Sequence, residues 1–118
     1  MADYAIFKRL IEIEYSEIVE FSSVLQDKLR IYLRDNSVAD IWFSKKIVGR
    51  YSFHWERTGN NPKIFRHDNI PHPRWKGVAT FPKHFHNGLQ DRVVESSISE
   101  DPITATREFM DFIKKQMK

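Results

Sequence analysis

The chain has no cysteine. Disulfides, thiolate nucleophiles and cysteine-held zinc are therefore excluded. It has no continuous apolar stretch approaching the roughly 18 residues that a membrane-spanning helix requires. Its N-terminus, where Asp3 opens an amphipathic run, lacks the basic segment and apolar block of a secretory signal. Neither a membrane span nor export is expected, and the cytoplasm is the default compartment. Carboxylates are scarce in one region. Residues 45–86 set nine Lys/Arg against only Glu56 and Asp68, a balance of +7. Residues 1–44 hold five against eight, and residues 87–118 five against six. A basic middle between acidic flanks favours an anionic substrate or partner, although lysines and arginines also serve as plain solvated surface.

What the chain does have is enough for one folded domain over residues 1–118, with 41% hydrophobic and 14% aromatic residues. Residues 3–13 place Ile6, Phe7, Leu10 and Ile11 on helical spacing behind Asp3. Residues 18–25 show no clean period. Leu29, Ile31 and Leu33 alternate with basic residues as a half-buried strand. Asp35-Asn36-Ser37 then turns the chain into a partner strand over 38–43. Tyr51, Phe53 and Trp55 alternate with Ser52, His54 and Glu56. Residues 58–62 turn, and Lys63 to Asp68 return. Pro71 and Pro73 stop the ladder, residues 69–82 form a loop anchored by Trp75, and residues 81–86 re-enter the sheet or its edge. Asp101-Pro102 opens a second helix, with Ile103, Phe109, Met110, Ile113 and Met117 as its apolar stripe and Lys114, Lys115 and Lys118 near its end. The expectation is an α+β fold, a mostly antiparallel sheet of about five or six strands with an N-terminal and a C-terminal helix.

The stretch from Phe65 to Asn87 holds four of the five histidines, His67, His72, His84 and His86, amid Arg66, Arg74, Lys76 and Lys83. On an extended backbone His84 and His86 project to one side. One reading makes the histidines structural, in a module that binds nucleic acid without cutting it. A second makes His-X-His the start of a zinc site, completed by Asp68, His67 or His72. The excess of cations over carboxylates opposes it. The third, RNA cleavage without a metal or other cofactor, fits the residue types better. The 2′-hydroxyl must lose a proton, the 5′-oxygen must gain one, and the charge on phosphorus must be met by cations. His84, His86 and His72 are the candidate acid and base residues. Arg66, Lys83, Arg74 and Lys76 are the candidate phosphate ligands, with Asp68 and His54 beside them. Trp75, Phe81 and Phe85 are available for base stacking or for core.

Arg66-His67-Asp68-Asn69-Ile70-Pro71-His72, followed by Thr80-Phe81-Pro82-Lys83-His84-Phe85-His86, resembles the TumE-type toxin family of prokaryotic type II toxin–antitoxin pairs. The likeness extends more loosely over most of the chain. The family pattern has an aromatic where His67 stands and often a second histidine where Pro73 stands. The resemblance implies a small cytoplasmic growth inhibitor that acts on RNA and is neutralised by a DNA-binding antitoxin encoded beside it; the endoribonuclease reading comes from the residue chemistry above. Self-association as a homodimer is left open.

Overall fold

Side chains on a strand alternate between its two faces, so a chain that alternates apolar and polar residues builds a sheet with one face to bury and one to leave open. The computed structural model describes residues 3–59 and 61–117 and shows seven strands in a single antiparallel sheet, neighbours in space as in sequence. They are β1 (Val19–Val24), β2 (Lys28–Leu33), β3 (Val38–Phe43), β4 (Tyr51–Arg57), β5 (Lys63–Asp68), β6 (His84–Gly88) and β7 (Val93–Glu95). Helices α1 (Tyr4–Glu14) and α2 (Pro102–Gln116) stand at the two ends of the chain. The α+β class and both helices are as expected, while the sheet is slightly larger than the five or six strands anticipated. Two positions named above, Asn60 in the turn and Lys118 beyond α2, lie outside the described residues.

Local chemistry accounts for the boundaries. The Asp3 carboxylate accepts from the Ala5 amide at the start of α1, and Asp101 accepts from the Thr104 amide at the start of α2, where Pro102 has no N–H and so needs no acceptor. Asn36 takes the left-handed backbone (φ 70°) that turns β2 into β3. Residues 69–83 cross from β5 to β6 as a loop with one 3-10 turn at Pro73–Trp75.

Both helices cover the same face. Leu29, Ile31, Ile41, Phe53 and Trp55 meet Phe7 and Ile11 of α1 and Phe109, Met110 and Ile113 of α2 in one hydrophobic cluster. Trp55, fully buried, donates its indole N–H to Ser37 Oγ at 2.9 Å, so its polar handle is answered. Neither α1 nor α2 covers the opposite face. Two cross-strand rows run over that face. One is Lys28, Trp42, Ser52, Asp68 and His84; the next is Arg30, Asp40, His54, Arg66 and His86. Every polar candidate on β4, β5 and β6 that shares this parity is thereby brought to one surface.

Candidate active site

His84 and His86 project from β6 onto the open face, directly across from Asp68 and Arg66 of β5. The pleat makes this unavoidable once the register is set, since residues two apart share a face. Both imidazoles are buried at the floor of a cavity of about 390 Å³, walled by Arg66, Asp68 and Ser52 and roofed by His72, Arg74 and Trp75 of the 69–83 loop. The Trp75 ring lies 6.3 Å from the His84 ring and 5.9 Å from the His86 ring, centroid to centroid.

Each imidazole is anchored by the nitrogen that points away from the cavity. His84 Nδ1 bonds the Pro82 carbonyl and His86 Nδ1 bonds the Gln90 carbonyl, both at 2.8 Å. A carbonyl can only accept, so Nδ1 carries hydrogen in each ring, and Nε2 is the atom left to bind or exchange a proton. The His86 anchor depends on the turn between β6 and β7, where Gly88 at φ 91° bends the chain so that the Gln90 carbonyl comes back beneath the ring.

The two Nε2 atoms then meet different partners. His84 Nε2 lies 3.4 Å from Asp68 Oδ1. His86 Nε2 lies 3.2 Å from Arg66 Nη2 and 4.0 Å from Asp68 Oδ2. A guanidinium has no lone pair to give, so Arg66 donates and His86 accepts through an unprotonated Nε2. Burial first, and then the Arg66 charge, hold the His86 imidazole below its ordinary pKa and keep it neutral, against the opposing pull of the Gln90 carbonyl. Asp68 ties the group together. One oxygen accepts from Arg66 Nε at 3.1 Å and the other from the Ile70 amide at 2.9 Å, and the carboxylate lies buried beneath the histidines.

The remaining predicted residues divide between the two faces. His72 lines the cavity, and its Nδ1 accepts from the Arg74 amide. Arg74 also lines it, lying over Trp75 at 4.8 Å and 3.5 Å from Asp91. Lys76 and Lys83 are not among the lining residues. Lys83 acts electrostatically on His67, on the helix-covered side. His54 sits one strand beyond Arg66, and its imidazole is held below the ordinary range by burial and then by the Arg66 charge. Ser52, Gln90 and Asp91 complete the cavity without having been singled out from the sequence. Asn87-Gly88 was the available signal for the turn that supplies Gln90, since this dipeptide favours tight hairpins.

A family model described as Toxin TumE matches residues 6–117. The chain belongs to the TumE toxin family. No curated protein and no solved structure matches it. As a TumE-family member it is a toxin, and a toxin of this kind implies an antitoxin partner. Among the described residues, no helix is long and apolar enough to cross a membrane.

His67 is the TumE-motif histidine that falls on the wrong face for this cavity. It stacks on Phe85 at 4.2 Å and bonds Ser96 Oγ at 2.8 Å, in the place where the family pattern has an aromatic. Burial, chiefly, with the Lys83 and His84 charges, lowers its pKa from 6.5 to about 4. The folded state thus binds this proton less readily than the unfolded state. Stability from this residue is complete above pH 6.5 and is lost as pH falls from there towards 4, by about 3 kcal/mol. Urea titrations of wild type and His67→Phe at pH 7.5 and 4.5 check this. The variant should lose less stability on acidification, and equal losses would count against a proton-linked role for His67.

Proposed function

We propose that this toxin cleaves RNA in the cytoplasm by metal-independent acid–base catalysis, with His86 as the base and His84 as the acid. The observation that supports it most is the asymmetry of the two Nε2 atoms, one facing a carboxylate and the other a guanidinium, in rings whose Nδ1 atoms are tied to carbonyls alike. A neutral His86 offers a lone pair to the 2′-hydroxyl proton. As that proton leaves, the 2′-oxygen bonds to phosphorus, the bond from phosphorus to the 5′-oxygen breaks, and the departing oxygen takes the proton from His84 Nε2. The products are a 2′,3′-cyclic phosphate and a 5′-hydroxyl end. The Pro82 carbonyl orients the His84 ring, and the Asp68 carboxylate, 3.4 Å from Nε2, faces that proton until transfer.

Arg66 is the cation best placed for the phosphate. Its guanidinium bonds His86 in the free protein, and a phosphate oxygen entering the cavity draws it off, since charge-assisted bonds are stronger than one to a neutral ring. The His86 lone pair is released by the same movement. Arg74 and His72 face the cavity from the loop, and Trp75 offers a ring for a base next to the cleaved bond. An antitoxin that silences the toxin by covering this basic cavity would do so with an acidic segment.

A second reading has a specific feature behind it. Asp68, His84 and His86 bring one ligand atom each to within 4.8 Å of one another, and histidines whose other nitrogen bonds a carbonyl are typical metal ligands. Arg66 weighs against it, because its charge occupies the approach to two of the three ligands. Incubation of purified toxin with RNA in excess EDTA separates the readings. Cleavage should continue unchanged, and loss of cleavage restored by Zn²⁺ or Mn²⁺ would favour the metal.

A further inference from the structure

The catalytic cavity opens sideways along the uncovered sheet face. A second depression, of about 450 Å³, continues from it and shares Ser52, Arg66 and Ile70 with it, then extends over Trp42 and His54 to Asp40 and Lys28. Its chemistry differs from that of the cavity. Lys28 and Arg66 in its lining are matched by Asp27 and Asp40, and Asp40 binds Arg30 through both oxygens at 2.9 and 3.0 Å and has Lys28 at 3.4 Å. The partly exposed Trp42 lines it, together with Ser52 and a neutral His54. A charge-balanced hollow lined by an indole suits the uncharged part of a nucleotide, while the adjoining cavity holds the cations that a phosphate needs.

We infer that Trp42 is the platform of a nucleobase-binding subsite, on which a base flanking the cleaved bond stacks as single-stranded RNA crosses the sheet. The inference rests on the ribonuclease reading for its substrate class. Register gives the spacing: Trp42, Ser52, Asp68 and His84 are successive members of one row. Three strand steps put the platform about 14 Å from His84. The base on Trp42 is therefore a neighbour of the cleaved nucleotide and not the cleaved nucleotide itself. Sheets that present aromatic rings to unstacked bases are an established way of holding single-stranded RNA, and the sequence tolerance of stacking suits a toxin that meets many transcripts.

The test separates binding from cleavage. A single-stranded RNA oligonucleotide with 2′-O-methyl sugars throughout cannot be cut by attack of a 2′-hydroxyl, so its affinity can be measured whether or not the protein is a ribonuclease. Trp42→Ala should weaken its binding by about 5- to 150-fold, the range corresponding to one stacked base. Trp42→Phe should retain most of the affinity. Phe21→Ala, on the same face beyond the depression, should change nothing. If Trp42→Ala does not fold, Trp42→Leu takes its place, since it keeps apolar bulk and lacks a π-face. Affinity within twofold of wild type for Trp42→Ala or Trp42→Leu overturns the subsite. Trp42-dependent binding without any RNA cleavage would retain the subsite and remove the ribonuclease reading.

Discussion

Replacing His86 by glutamine lowers RNA cleavage by about a hundredfold to ten-thousandfold, the usual contribution of a positioned base, and relieves growth inhibition when the variant is expressed. The same substitution at His84 costs a similar factor. The pH profile distinguishes the two. A base must be unprotonated to act, so the acidic limb of the wild-type profile belongs to His86 and has its midpoint below the ordinary histidine pKa, because burial and Arg66 disfavour the charged ring. His86→Gln should flatten that limb and leave the alkaline one; His84→Gln should do the reverse. Full activity in both variants with intact circular dichroism would make the pair structural.

Arg66→Gln is expected to lower kcat by about a hundredfold to a thousandfold, the loss seen when a group stabilising developing charge is removed. It carries a second signature that a merely structural arginine would not. The guanidinium lies 3.2 Å from His86 Nε2 and holds that imidazole down. Its removal raises the His86 pKa, so the acidic limb of the remaining activity moves to higher pH. Arg66→Lys keeps the charge but cannot bridge Asp68 and His86 as the fork of the arginine does. It should recover part of the limb's position and little of the rate. An unshifted limb in Arg66→Gln would separate Arg66 from the base.

Much of this arrangement was legible in the chain before it was folded. Period-two alternation marks β2 and β4, turn residues mark the returning β3 and β5, capping chemistry marks both helices, and parity alone places His84 and His86 together with Phe85 behind them. The same parity sends His67 to the helix side while Arg66 and Asp68 face the cavity. β1 was obscure because its pairing with β2 shifts register between Val19 and Phe21, which breaks the alternation, and β7 is too short to show a period.

Facts that depend on register could not be read in advance. Spacing along a chain does not say that Asp68 pairs with His84 across the sheet and comes to lie buried between two imidazoles and a guanidinium. Read as one charge among many, it stood beside the phosphate ligands; folded, it lies 3.4 Å from His84 Nε2 and 4.0 Å from His86 Nε2. Lys83 was similarly counted among the phosphate cations, although it ends the loop before β6 and its charge acts on His67. The anchors of the two rings are main-chain carbonyls, at Pro82 and Gln90, which no side-chain pattern displays.

The central claim is that two histidines, without a metal, move the protons that break the RNA backbone. The products formed in excess EDTA test it most directly. Metal-free attack by the 2′-hydroxyl leaves a 2′,3′-cyclic phosphate on one fragment and a 5′-hydroxyl on the other, and mass spectrometry of a cleaved oligonucleotide should find these ends. Fragments ending in a 3′-hydroxyl and a 5′-phosphate, or no fragments until Zn²⁺ or Mn²⁺ is added, would contradict it.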